Sequence, residues 1–311
     1  MIYYQMFCKM ASIYLFIFFA AATLAVAVPS HSAAIRHSCG THLSSDAIDA
    51  AEAYFSARRV APEANASAFT AKIPVYWHVI RAGKHFHQGN TPKSQIMDSI
   101  AMLNQDYASV KLKFTLVKYE RTTNLSWFTE IKHGDTLEVS MKKALHKGRA
   151  NALNIYTVGL IKDDTNGPGR AGYAIYPSSY SANPKDDGVV MLYSAAPGSP
   201  LGKVLSHEVG HWAGLYHTFE GGCSGPGDYV DDTPPEASPS HDCLITHDTC
   251  PGGGVDSVHN IMNYAGSSCM TDVVFAVLIQ RKAEYSHSLF SLHLGRSSAS
   301  RTNWGFIAEF R

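Results

Sequence analysis

A run of histidines at helical spacing has the clearest potential for chemistry in this sequence. Residues 207–217 read His-Glu-Val-Gly-His-Trp-Ala-Gly-Leu-Tyr-His. On an α-helix, His207 and His211 lie one turn and about 40 degrees of azimuth apart, so both imidazoles reach one cation. Gly214 ends such a helix, because glycine adopts the left-handed conformation without a Cβ penalty, and His217 then returns as a third ligand. Three such ligands predict a Zn²⁺ site with one open position, the catalytic rather than the structural arrangement.

Glu208 follows the first ligand, so its carboxylate reaches a water at the open position. Zinc lowers the pKa of such a water towards about 7 and polarises a carbonyl oxygen, while a carboxylate accepts the proton and returns it to a leaving amine. The residues therefore predict zinc-dependent hydrolysis of peptide bonds with Glu208 as general base. Ordinary surface or core histidines are the other interpretation, and the number of positions fixed by HExxHxxGxxH argues against it.

Composition and charge argue against a protein that binds nucleic acid. The chain has 311 residues, 45% of them hydrophobic, with 26 basic and 26 acidic side chains and a net charge of zero. A neutral chain has no field that collects phosphates, so nucleic acid is not an expected partner. Its length suffices for a large core that does not depend on disulfides, and for one or two domains.

The amino-terminal segment predicts export. Residues 11–28 contain no charge, Lys9 precedes them, and the small-x-small triplet Ala25-Val26-Ala27 follows the apolar run. This order is typical of a signal peptide, here 1–27, and predicts a secreted protein without a membrane partner after cleavage. A transmembrane anchor is the alternative, because the uncharged stretch nearly reaches spanning length.

Hydrophobic patterning organises the rest of the chain. Residues 28–70 are interpreted as a propeptide or accessory region with one helix over 45–59, and 71–311 as the catalytic domain. Alternating strands and helices followed by a Gly/Pro-rich section predict a mixed α/β domain with a twisted sheet, an active-site helix and an irregular carboxy-terminal half. The predicted strands are 72–80, 111–120, 152–160 and 188–193. The predicted helices are 91–107, 141–145 and one that begins at 201–205 and continues through the histidines.

A secreted chain is expected to form disulfides and to carry N-linked glycans. Cys223, Cys243, Cys250 and Cys269 lie in the last third, and four cysteines allow three pairings, of which two disulfides form in an oxidising compartment. Asn65-Ala66-Ser67 and Asn124-Leu125-Ser126 are candidate N-glycosylation acceptors, although matches this short also occur by chance.

The extended histidine motif resembles that of the metzincins, a family of zinc proteases. Members also carry a tight turn with a methionine beneath the metal, and Asn260-Ile261-Met262-Asn263-Tyr264 fits that turn, 45 residues beyond His217. By this resemblance Met262 packs under the histidines, and Tyr264 contacts the metal or the oxyanion. Together with the run 227–234, these motifs are most similar to the pappalysin branch (M43B), particularly secreted fungal extracellular metalloproteases.

The resemblance has further implications for fold, cysteines and ligands. It implies an α+β zincin fold, protein or peptide substrates, and disulfides that join Cys223 to Cys250 and Cys243 to Cys269. Some relatives bind calcium near this segment. Oxygen ligands for calcium are available in the acidic loop of Asp228, Asp231 and Asp232, for which a solvated turn is the competing interpretation.

Cys39 stands alone near the start of the mature chain. A thiolate there is able to occupy the open position of zinc until the segment is cut away, as in some metzincins that are held latent. The competing interpretation is an unpaired or intermolecular cysteine.

Residues 273–300 depart from the family pattern. The family continues after Cys269-Met270 into a helix that packs under the active site, whereas this stretch does not align with it, and 301–311 again resembles the helical end. We interpret 273–300 as containing translated intron or another gene-model error.

Two other classes of function compete with the protease. A binding protein on the same scaffold requires an impaired site, although Glu208 is present. A structural zinc module requires a fourth permanent protein ligand and has no exchangeable water.

Overall fold

The computed structural model of the protein describes residues 39–57, 71–163, 169–231 and 233–271. The helices are α1 (Ser45–Ser56), α2 (Lys93–Asp106), α3 (Leu125–Thr129), α4 (Thr136–Leu145) and α5 (Val204–Ala213). The strands are β1 (Ala71–Arg81), β2 (Leu112–Thr123), β3 (Ile131–Lys132), β4 (Leu153–Val158), β5 (Ile161–Lys162), β6 (Gly172–Ala174) and β7 (Val189–Leu192).

The main sheet has five strands in the order β2-β1-β4-β7-β6. The first four are parallel, and β6 runs antiparallel to β7, with Gly172 opposite Met191. Strands β3 and β5 form a separate parallel pair. This mixed α/β sheet confirms the predicted fold class, and it leaves β6 as an edge strand beside α5.

Parallel strands that are covered on both faces explain the near-continuous apolar runs in the sequence. Every residue of β4 and β7 is buried. Helix α2 buries Ile96, Ile100 and Leu103, the side chains that its periodicity predicts. The Tyr107 hydroxyl at the end of α2 donates a hydrogen bond of 2.6 Å to the Ser206 carbonyl in α5. Helix α2 thus supports the helix that carries the histidines.

The predicted boundaries differ from the structure by a few residues. Helix α4 begins at Thr136 instead of 141, because the Asp135 carboxylate caps it by accepting from the Glu138 amide at 2.7 Å. Helix α1 ends at Ser56 rather than 59, and Ser44 is its cap. Helix α5 begins at Val204, within the predicted opening stretch 201–205, and the other predicted elements shift by one to three residues at their ends.

Sequence patterning missed α3, β3, β5 and β6. Each has five residues or fewer, which is too short for a periodic pattern to stand out. The most consequential omission is β6, because its outer edge lies beside the histidine helix. Its first residue is Gly172, at which an added Cβ would lie 3.0 Å from Glu208 Cγ. The glycine therefore allows the strand to approach α5 closely.

The described chain after Gly214 contains no further helix and is cross-linked by two disulfides. Cys223 pairs with Cys250 and Cys243 with Cys269, the pairing that the resemblance implied. The second bridge encloses Met262. Such cross-links stabilise the segment by restricting its unfolded chain.

The double variant C243S/C269S is expected to lower the free energy of unfolding by about 3 kcal/mol, because the bridge closes a loop with a sequence separation of 26. Urea unfolding followed by tryptophan fluorescence measures this loss. C223S/C250S, with a separation of 27, is the matched comparison and is expected to lose a similar amount. A loss below about 1 kcal/mol for both pairs would show that the segment does not depend on its cross-links.

Several predicted features lie outside the described residues. They are the signal peptide 1–27, residues 28–38 and 58–70 with Asn65, Asp232, and the anomalous segment 273–300 with the end of the chain. The proposed domain boundaries and the gene-model interpretation therefore stay predictions. None of the helices in the described part of the chain combines the length and apolar character that crossing a membrane requires.

Candidate metal centre

The three histidines of the motif converge at the carboxy-terminal end of α5. Gly214 has φ of 106°, the left-handed conformation that the sequence predicted, and its amide donates to the carbonyls of Gly210 and His211. His217 returns beyond this turn. Its Nε2 and that of His207 each lie 3.1 Å from Nε2 of His211, and all three side chains are buried.

Hydrogen bonds on the far side of two rings fix which nitrogen carries the proton. His207 Nδ1 donates to the Ile261 carbonyl at 2.6 Å, and His211 Nδ1 donates to the Leu215 carbonyl at 2.8 Å. With Nδ1 protonated, each Nε2 presents a lone pair to the common centre. Lone pairs this close repel unless a cation lies between them, so the donor set fits a metal ion and favours zinc.

Cys39 completes the cluster from the other side. Its Sγ and one nitrogen of each of the three histidines all lie within 4.8 Å of one another. The side chain is 1% exposed and forms no disulfide. Cys39 makes a parallel bridge to Gly172, and the Gly40 amide donates to the Gly172 carbonyl at 2.9 Å. The amino-terminal segment is thus held on the free edge of β6 with its thiol directed at the histidines.

Glu208 is buried and contacts the same segment. Its Oε2 accepts from the Cys39 thiol at 3.4 Å and from the Thr41 hydroxyl at 3.0 Å. Thr41 Oγ1 in turn accepts from the Ala174 amide of β6 at 2.8 Å. Burial raises the pKa of Glu208 to about 8, and the two donors oppose that rise. The carboxylate and the histidines therefore face one sulfur atom.

Met262 lies against α5 at Gly210. A Cβ added at Gly210 would lie 2.3 Å from Met262 Sδ, so the absence of a side chain there allows the methionine to pack between the turns that carry His207 and His211. Met262 is 1% exposed.

The variant Gly210→Ala is expected to lower the free energy of unfolding by about 1–2 kcal/mol. Alanine favours a helix over glycine by about 0.5–1 kcal/mol, but the overlap with Met262 costs more, about 1–3 kcal/mol. Urea unfolding measures the difference. Gly266→Ala is the control, because its added Cβ would meet nothing closer than 3.8 Å. A stabilised Gly210→Ala protein would show that Met262 does not pack tightly under the helix.

Two tyrosines contact the histidines. The Tyr264 hydroxyl lies 3.1 Å from His217 Nε2. The Tyr176 hydroxyl lies 3.0 Å from His211 Nδ1. Sequence reasoning missed Tyr176 and Thr41. Thr41 was accessible through its position two residues after Cys39, whereas Tyr176 belongs to no motif.

The remaining predicted sites lie apart from this cluster. Asn124 caps α3 by accepting from the Trp127 amide at 3.0 Å, and its glycosylation stays a prediction. Asp228 Oδ1 accepts from the Val230 amide at 3.0 Å, and Asp231 is exposed. Within the described ranges, the group of Cys39 and the three histidines is the only metal-capable cluster, so calcium at the acidic loop stays a prediction.

Comparisons with known proteins identify the family of the chain. The model of the Peptidase M43 family, described as pregnancy-associated plasma protein-A, matches residues 143–276. The chain is 38% identical over 261 residues to extracellular metalloprotease 1 of Coccidioides posadasii, which covers 80% of this chain and 87% of the relative. It is 39% identical over 267 residues to an extracellular metalloprotease of Verticillium alfalfae, with 81% and 90% covered.

A solved structure shares the fold. A promirolysin variant from Tannerella forsythia superposes with a TM-score of 0.59 at 24% identity, covering 83% of this chain and 95% of that one. The identity and coverage of the fungal relatives, together with the convergent histidines, establish that the chain belongs to the M43 (pappalysin) family of metalloproteases.

Proposed function

We propose that the protein is a secreted zinc endopeptidase in which His207, His211 and His217 hold the metal and Glu208 is the general base. The observation that carries this proposal is the position of the Cys39 sulfur. It lies within 4.8 Å of the three histidine nitrogens and 3.4 Å from Glu208 Oε2. A water molecule in place of that sulfur would lie within reach of both the metal and the carboxylate.

Zinc bound by the histidines supplies a lowered water pKa and a polarised substrate carbonyl. Glu208 takes the proton of the attacking water at Oε2 and donates it to the departing amine. The Tyr264 hydroxyl, 3.1 Å from His217 Nε2, is available to donate a hydrogen bond to the oxygen that becomes negative during attack. Burial raises the pKa of Tyr264, which keeps this hydroxyl protonated.

The edge of β6 supports a peptide as the substrate. The main chain of Gly40 and the side chain of Thr41 occupy that edge through bonds to Gly172 and Ala174. An extended peptide that replaces the segment finds the same backbone groups and adds a strand to the sheet. Such pairing uses the main-chain groups of the peptide. It therefore orients a peptide bond towards Glu208 without requiring particular side chains in the substrate.

The same contacts support latency in the intact chain. While Cys39 faces the histidines and Thr41 bonds Glu208, neither the water position nor the carboxylate is free. A thiol that meets a metal ion loses its proton and becomes a strong ligand. We infer that residues 28–70 form a propeptide whose Cys39 blocks the metal until the segment is removed. The predicted leader at 1–27 and the names of the extracellular relatives support export of this precursor.

Zinc content and chelation test the proposed function together. The secreted protein, freed of its amino-terminal segment (residues 28–70), is expected to contain one zinc per chain and to cleave an internally quenched peptide. A chelator abolishes cleavage, and added Zn²⁺ restores it. Zinc without cleavage would favour the binding protein, and cleavage that resists full removal of metal would overturn the assignment of the histidines as ligands.

A further inference from the structure

Glu236 is a carboxylate without solvent contact that joins two parts of the metal centre. Its side chain is 0% exposed, and it lies 19 residues beyond His217. Oε2 accepts from the Thr218 hydroxyl at 2.7 Å, and Oε1 accepts from the Ser240 hydroxyl at 3.2 Å. The side-chain amide of Asn263 donates to both oxygens at 2.9 Å. Every hydrogen bond that Glu236 accepts therefore comes from a neutral donor.

The orientation of the Asn263 amide is fixed by its other contacts. Its Oδ1 accepts from the backbone amides of Ser240 at 2.9 Å and Tyr264 at 2.7 Å. Because backbone amides only donate, Nδ2 is the atom that faces Glu236. At 236 a carboxylate thus presents two acceptor oxygens to the Asn263 amide and to the hydroxyls of Thr218 and Ser240.

Both ends of this network adjoin groups that face the metal position. Thr218 follows His217, and its amide donates to the Met262 carbonyl at 3.4 Å. Asn263 precedes Tyr264, whose hydroxyl lies 3.1 Å from His217 Nε2. The carboxylate thus connects the loop of the third ligand to the methionine turn.

A buried charge without a cation is costly, so its presence needs a reason. Among the described residues no lysine or arginine forms an ion pair with Glu236. Burial and the nearby Asp256 carboxylate raise the pKa of Glu236, whereas the hydrogen bonds that it accepts lower it. Apolar side chains in the same volume would stabilise the fold without that cost. Apolar side chains, however, have no acceptors for Thr218 and Asn263, and would leave the two segments free to shift.

We propose that Glu236 is a positioning residue. It holds His217 and Tyr264 at fixed positions relative to His207 and His211 of α5. This inference rests on the proposed function, because it assigns Glu236 a role towards the metal held by those histidines. Glu236 touches neither substrate nor metal, and acts only through Thr218 and Asn263.

The variant Glu236→Gln tests the role with almost no change in volume. Asn263 Nδ2 lies 2.9 Å from both oxygens of Glu236. The NH₂ group of a glutamine at 236 therefore faces the NH₂ group of Asn263 in either orientation of its amide. We expect zinc to leave the full-length protein about tenfold faster, because loss of a group that supports a metal ligand typically lowers metal affinity by about 10–100-fold. Transfer of zinc to a chromophoric chelator measures the rate. In the protein freed of its amino-terminal segment, we expect kcat to fall and KM to change little.

Glu138→Gln is the matched control. Glu138 is 1% exposed like Glu236, but it lies in α4 and pairs with Lys142 at 2.6 Å. This variant also loses a buried carboxylate and some stability, yet its zinc release is expected to match that of the parent chain.

The double variant E236Q/N263D exchanges the roles of the two side chains. The carboxylate at 263 still accepts from the amides of Ser240 and Tyr264, and the amide at 236 becomes the donor between them. Each single change places like groups face to face, so each is expected to accelerate zinc release, whereas the double variant is expected to release zinc more slowly than either.

The outcomes separate this inference from the proposed function. A parent chain that binds no zinc and cleaves no peptide contradicts the proposed function itself. A parent that does both, together with a Glu236→Gln variant that releases zinc no faster than Glu138→Gln, overturns the inference alone. Equal acceleration in Glu236→Gln and E236Q/N263D overturns it as well, because restored pairing would then have no effect on the ligands.

Discussion

Replacing Glu208 with glutamine is expected to lower kcat/KM about 1,000-fold while the protein keeps its zinc. The amide has nearly the shape of the carboxylate but cannot accept the proton of the attacking water or return it to the amine. General acid-base catalysis by one side chain contributes about 10²–10⁴-fold, and Glu208 performs both transfers. The measurement is cleavage of an internally quenched peptide by protein freed of its amino-terminal segment, with zinc content determined on the same sample.

Glu130→Gln is the control for this experiment, since Glu130 is exposed and pairs with Lys162 away from the histidines. It is expected to cleave as fast as the parent. A Glu208→Gln protein with full zinc content and more than a tenth of the parent activity would assign the proton transfers to another group. Loss of zinc in that variant would instead show that Glu208 supports the ligands, and the kinetic result would then not identify the base.

The histidine helix was predictable because its information is local. The spacing of His207 and His211 follows from helix geometry alone, and Gly214 supplies the left-handed residue that returns His217. The same holds for α2, whose apolar period matches its buried face. The fold class followed from the alternation of strands and helices, and the comparisons with solved structures confirm it.

The surroundings of the histidines were not predictable because they depend on contacts between distant parts of the chain. Thr41 and Glu208 are separated by 167 residues, and Tyr176 and His211 by 35. Strand β6 has three residues, and only its place beside α5 gives it importance. Glu236 lies in an irregular segment without periodicity, where a sequence shows neither burial nor partners.

Substitution of Cys39 by alanine gives the second large effect, an active full-length chain. Without the thiol, the metal position is open to water even though the segment is still attached. We expect kcat/KM of the unprocessed protein to rise about 100-fold, which corresponds to about 2.7 kcal/mol of stabilisation of the blocked state by the sulfur. Peptide cleavage measures the gain, and intact mass of the assayed sample verifies that the segment has not been removed.

Cys39→Ala does not release every contact of the segment, because the Thr41 hydroxyl still donates to Glu208 at 3.0 Å. C39A/T41A is therefore expected to be more active than Cys39→Ala, and Thr41→Ala alone to be nearly as inactive as the parent, since the sulfur continues to occupy the open position. Removal of the segment sets the upper limit of activity for all of these variants. If removal activates the parent while unprocessed Cys39→Ala stays as inactive as the unprocessed parent, the segment blocks the site by covering the edge of β6 and the thiol is not the latency switch.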